Sequence, residues 1–189
     1  MDSSNLLNLR TYILILTFIL LLLKQINSLK DFTEKNAIDL INKHRITHLG
    51  NGASSLQKDF TLTQKAKKLV EKAMKNKGFD KDGYAGVNTY QVCATFGAHV
   101  TSRQVVDTWY NEVCDVDFET NDFKPGTESF AQLVWKDTQR VGLAKATGRN
   151  KNQTCQYIAG LFRPPGNIDG FYDENVLKGK FDEKYCDEL

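Results

Sequence analysis

The stretch PGTESFAQLVWKDTQRVGLAK, running from Pro125 to Lys145, decides how the rest of the chain is read. Pro125-Gly126 is a turn signal, and Thr127 is a hydroxyl residue able to cap the helix that follows. Phe130, Leu133 and Val134 recur at helical spacing with Trp135 beside them, so the helix is short and held by burial more than by propensity. From Val141 to Leu143 the residues alternate as in a half-buried strand. The unit is turn, helix, strand.

Upstream, Thr33 is placed to cap a first helix through NAIDLINKHRITHLG, with Ala37, Ile38, Ile41 and Arg45 on one side and Gly50 past its end. A second helix follows the loop GNGASS. Thr61 and Gln64 have the spacing of a capping box there, Ala66, Leu69, Val70 and Ala73 form the apolar stripe, and Gly78 is the stop. Lys65, Lys67, Lys68, Lys72 and Lys75 fall mostly on its other side, as a solvated face or a contact for an anionic membrane or glycan. Val87 to Phe96 is rich in β-branched and aromatic residues and predicts a strand. Thr101 or Ser102 then caps a third helix whose apolar face is Val105, Val106, Trp109, Tyr110 and Val113. Beyond the central unit come a hairpin-like loop, GRNKNQT, and a strand from Gln156 to Phe162. Helices flanking a small set of strands predict a layered, mixed α/β domain.

Three segments together, ESFAQLVW…VG-A, VVDTWYNEV (Val105 to Val113) and FRPPGNIDGFYDENV (Phe162 to Val176), resemble the signatures of the CAP superfamily of cysteine-rich secretory, antigen 5 and pathogenesis-related 1 proteins, the venom allergen-like or SCP domain. The resemblance implies a three-layer α-β-α sandwich.

The chain has 189 residues, with Lys+Arg 25 against Asp+Glu 23, which suits one domain over residues 29–189 and offers no footprint for nucleic acid. Arg10, the apolar run Thr11 to Leu23 and the small residue Ser28 have the layout of a secretory signal peptide over residues 1–28. A retained membrane anchor is the alternative, but the run is shorter than the ~20 apolar residues that span a bilayer. The mature chain is therefore expected to be secreted, without a transmembrane span. Cys93, Cys114, Cys155 and Cys186 all follow the leader, so two disulfides are expected, or a free pair buried as small hydrophobes. Four cysteines allow three connectivities, and spacing does not choose among them. Asn152-Gln153-Thr154 is a glycosylation acceptor, and the final Cys-Asp-Glu-Leu resembles an ER-retention tail without its leading base.

Many CAP proteins gather two His and two Glu around a cleft that can bind zinc. Counting back without a gap from Trp109 puts the family's G-E-N-L-A on Tyr90 to Ala94, so its Glu falls on Gln91. The signature His falls on Ser129, the loop GFDKDGYAG holds no His, and only Glu112 survives. Gln and Ser are poor zinc ligands and no bases near neutral pH, so no metal, no cofactor and no enzymatic activity are expected. Glu112 is expected to become structural, bonded to Gln91 or Ser129. His44 and His48, at i and i+4, share a helix face that could clamp a metal, although an ordinary, partly exposed face is the plainer reading.

What the resemblance implies instead is binding. Several relatives hold a sterol near the loop that here is Asp115 to Lys124, or a fatty acid between helices, and Phe118 and Phe123 supply apolar contacts in that loop. The alternative is a module that presents its loops to an extracellular protein receptor.

Overall fold

The computed structural model describes residues 11–20, 31–50, 55–80, 85–120, 123 and 125–189. Residues 11–20 are helical with exposed side chains, and the rest of the expected leader lies outside the described residues. No helix among the described residues is long and apolar enough to cross a membrane.

Helix α1 (Glu34–Leu49) starts at Thr33, whose hydroxyl accepts from Asn36 N–H, and stops at Gly50 with φ 79. Strand β1 (Gln57–Lys58) leads into α2 (Phe60–Asn76). The cap of α2 is Asp59 and not the Thr61–Gln64 pair, because the Asp59 carboxylate accepts from Leu62 N–H one turn earlier. Its expected stripe of Ala66, Leu69, Val70 and Ala73 is buried. Strand β2 (Val87–Ala94) ends two residues before the predicted end, and α3 (Ser102–Tyr110) opens on a capping box between Thr101 and Gln104. A 3-10 turn, Asn111–Asp115, extends α3 and buries Val113. Helix α4 (Glu128–Val134) is the short helix of the central stretch. Strands β3 (Arg140–Asn150) and β4 (Gln153–Arg163) form a hairpin that runs through the predicted loop GRNKNQT. Only Lys151 and Asn152 remain as its turn, with Lys151 at φ 51. Two short helices close the chain, α5 (Tyr172–Asn175) and α6 (Lys184–Asp187).

The sheet order is β1-β3-β4-β2, with β1 parallel to β3 and the other pairs antiparallel. Alternation along β4 divides the molecule into three layers. Cys155, Tyr157, Ala159 and Leu161 pack with Leu62, Leu69 and Val70 of α2 on one face. On the other, Ile158 and Phe162 join Ile41 of α1, Trp109 of α3 and Phe130 of α4. The fold is an α-β-α sandwich.

The motif residues hold these layers together. A Cβ on Gly142 would collide with the backbone of Leu62 and Thr63, so glycine there lets the first turn of α2 lie directly on β3. Gly166 lies against the Trp135 ring in the same way, and its N–H donates to the buried Gln132 side chain at 2.7 Å. The disulfides are Cys93–Cys155, across the paired strands β2 and β4, and Cys114–Cys186, which ties the end of the 3-10 turn to α6.

Candidate functional site

The cleft that the sequence points to lies at the N-terminal end of α4. Glu112 reaches it from the 3-10 turn, accepting from Phe130 N–H at 2.9 Å and from the Ser129 backbone and hydroxyl. Thr127 stands at the N-cap position without a side-chain capping bond, so the Glu112 carboxylate occupies the N–H groups that a capping side chain would take. Burial raises its pKa above the ordinary carboxylate value, and the bonds from Phe130 and Ser129 oppose that rise.

Ser129 is thus beside Glu112, as expected, but Gln91 is not. It is an exposed residue of β2 whose amide donates to Lys77 O at 3.5 Å, at the end of α2. The inner position belongs to Asn88, which is buried and donates to Ser129 O at 2.8 Å. Three residues along a strand place Gln91 on the opposite face from Asn88. The ungapped count overlooked the length of the connection between β2 and α3. Gly86, at φ 70 with the Phe162 carbonyl and Pro165 within 2.9 Å of where a Cβ would stand, fits the motif's glycine better than Tyr90 does. In that register the family's Glu falls on Val87, and neither register supplies a second carboxylate.

The groups around Glu112 are donors to it, not ligands for a cation, so this site does not fit the zinc that the resemblance implies. Among the described residues, no three His, Cys, Asp or Glu side chains gather as a metal site.

His44 is partly exposed, in line with the plainer expectation, whereas His48 is buried, which corrects it. His48 is 1% exposed; its Nδ1–H donates to Leu177 O at 2.7 Å, and its Nε2 accepts from the Tyr110 hydroxyl at 2.9 Å. His44 stacks on the Tyr110 ring at 3.6 Å between centroids. Burial lowers both imidazoles to about 4, so both are neutral at pH 7.

Phe118 and Phe123 are both half-buried but belong to different surfaces. Phe118 packs against His48, Phe130 and Phe181 with ring centroids 6.0–6.2 Å apart, and lines a groove of about 470 Å³ beside the Cys114–Cys186 bridge. Phe123 stacks at 4.6 Å on Tyr172, the residue that follows the exposed Phe171 in a segment where Ile168 is exposed as well. Sequence reasoning missed that second segment, although the aromatic pair Phe171-Tyr172 inside a Gly- and Asp-rich loop was its signal. Asn152 is exposed at the hairpin turn.

Sheet order, layers and motif positions define a class, the α-β-α sandwich built around a short, buried helix. The profile described as "CAP: Cysteine-rich secretory protein family" matches residues 38–158, and the chain belongs to that family. It is 34% identical over 82 residues to the human (Homo sapiens) "Golgi-associated plant pathogenesis-related protein 1", covering 42% of this chain and 51% of the relative. To "Repressed by EFG1 protein 1" of Candida albicans it is 28% identical over 151 residues, 76% of this chain and 50% of the relative. The chain thus spans about half the length of these curated relatives. Among solved structures, "Hookworm Platelet Inhibitor" superposes with a TM-score of 0.56 at 18% identity, covering 80% of this chain and 78% of that one; this likeness concerns the fold.

Proposed function

We propose that the protein is an exported, non-catalytic CAP-domain binding protein whose ligand is an apolar small molecule, a sterol or a fatty acid, taken up at the end of the loop from Asp115 to Lys124. One observation carries the reading: Phe123, partly exposed, stacks on Tyr172 of a segment that leaves Ile168 46% and Phe171 52% exposed. Apolar side chains left in water beside a partly exposed ring form a ready contact for an apolar molecule. Glu112 supports the non-catalytic half of the proposal, since its carboxylate is engaged with the first N–H groups of α4. The second reading, a docking module for a protein receptor, draws on Phe96, fully exposed at the turn after β2.

The test is native mass spectrometry of secreted protein with organic extraction, followed by cholesterol titration of three variants. Phe123→Ala should weaken binding about ten- to a hundredfold at unchanged melting temperature, by the loss of one ring contact of about 1.5–3 kcal/mol. Phe118→Ala should lower the melting temperature, and Glu112→Gln should leave binding unchanged. Protein that carries no lipid and binds no cholesterol in any form overturns the proposal and favours the receptor reading.

A further inference from the structure

On the sheet face away from Glu112 lies a second groove, of about 450 Å³, between α2 and the end of β4. Its floor is apolar: the side chains of Leu62 from α2, Leu161 from β4 and Pro165, with the β4 residue Phe162 also at its edge. Among the described residues its polar side chains are all cationic, Lys65 and Lys68 one helical turn apart and Arg163 opposite them. None of the three enters an ion pair among the described residues, whereas Lys58 and Lys72 nearby are paired with Glu34 and Asp80. No carboxylate of the described residues lines the groove. Its volume lies within the range of about 300–1,000 Å³ usual for small-molecule sites.

We propose that this groove binds an amphiphile headed by a phosphate monoester, with the phosphate on Lys65, Lys68 and Arg163 and the first methylenes of its chain on Leu62, Leu161 and Pro165. Three cations around one head favour a dianion. A phosphate monoester carries about −1.5 to −2 charges at neutral pH and offers three acceptor oxygens, whereas a carboxylate offers one charge and two oxygens. Arg163 can grip two of those oxygens as a fork, and the lysines act as point charges. The apolar floor separates this ligand from a bare inorganic anion, which would leave the partly exposed Pro165 uncovered. The inference is independent of the sterol proposal, whose loop lies on a different surface.

The experiment is calorimetry of the full-length protein with decyl phosphate below its micelle concentration, against decanoate and inorganic phosphate. At about pH 7.5 decyl phosphate should bind at least about tenfold more tightly than either comparator. Its affinity should fall severalfold by about pH 5, because the second pKa of the phosphate monoester is about 6. Lys68→Glu and Arg163→Glu should each weaken it at least about tenfold with the melting temperature unchanged, and Phe123→Ala should leave it alone. Equal binding of decanoate shows that a dianion is not required; equal binding of inorganic phosphate shows that the floor takes no part. Either result, or charge-reversed variants that bind like the parent, overturns the inference.

Discussion

Glu112 and Arg45 hold opposite ends of the same seven-residue helix, α4. The carboxylate accepts from Phe130 N–H at its start, while the guanidinium, 1% exposed, donates to Leu133 O at 3.0 Å, Trp135 O at 2.8 Å and Thr138 O at 3.0 Å at and beyond its end. An anion at the positive end and a cation at the negative end complement the helix dipole as well as its unpaired backbone groups. A helix this short would not persist without such anchors.

Arg45→Met should therefore destabilise the fold by about 3 kcal/mol or more, since it keeps the volume but strands buried carbonyls. Urea unfolding measures it. Arg45→Lys should recover little, because one ammonium cannot serve carbonyls spread over that distance. A loss under about 1 kcal/mol for Arg45→Met would mean that water replaces the guanidinium freely.

Stability should fall on acidification below neutral pH. His44 and His48 are held neutral at about 4 in the folded protein and titrate near 6.5 when unfolded, so the unfolded chain binds more protons between those values. Their contribution is complete above 6.5 and is lost as pH falls towards 4. At about pH 5 each imidazole accounts for at most about 2 kcal/mol. Glu112, raised by burial, acts in the opposite sense just above its ordinary value. Denaturant melts at pH 7 and pH 5 decide the matter, and His44→Phe, which preserves the stack on Tyr110, should flatten the dependence; equal stability at both pH values refutes it.

Replacing Cys114 and Cys186 together by Ser opens a loop of 72 residues and should cost up to about 4 kcal/mol on the chain-entropy account. The bridge also fixes the wall of the Phe118 groove, which both cysteines border or adjoin through Val113 and Phe181. Limited proteolysis should then cut first between Lys178 and the C-terminus. An unchanged cleavage pattern would show that the packing of Phe181 suffices.

Expression through a eukaryotic secretory pathway should yield protein beginning near Leu29, with a glycan at Asn152 that Asn152→Gln removes. Intact-mass analysis reads both. Secreted protein that retains Met1, or an Asn152 that stays bare, contradicts the expected processing.

Much of the fold was legible in the residue pattern. The stripe Ala37, Ile38, Ile41 and Arg45 is the buried side of α1, and Phe130, Leu133 and Val134 are fully buried in α4. These features are local: helical periodicity and caps depend on neighbours a turn away. What Arg45 does among the apolar residues of its stripe was not legible, because its partners lie 88 to 93 residues downstream. The same holds for the cysteine pairing, which strand register decided when it set Cys93 opposite Cys155. Register also removed Gln91 from the cleft and put Asn88 in its place, since one strand alternates faces and no count along the chain from α3 can fix which residue points inward. Phe118 and Phe123, alike in sequence as two rings in one polar loop, were separated by what waits beneath each, Phe130 and Phe181 for one and Tyr172 for the other. Sequence by itself determined the family and the longer helices; tertiary packing decided which side chains are anchors and which face solvent, because burial is a property of distant chain segments brought together.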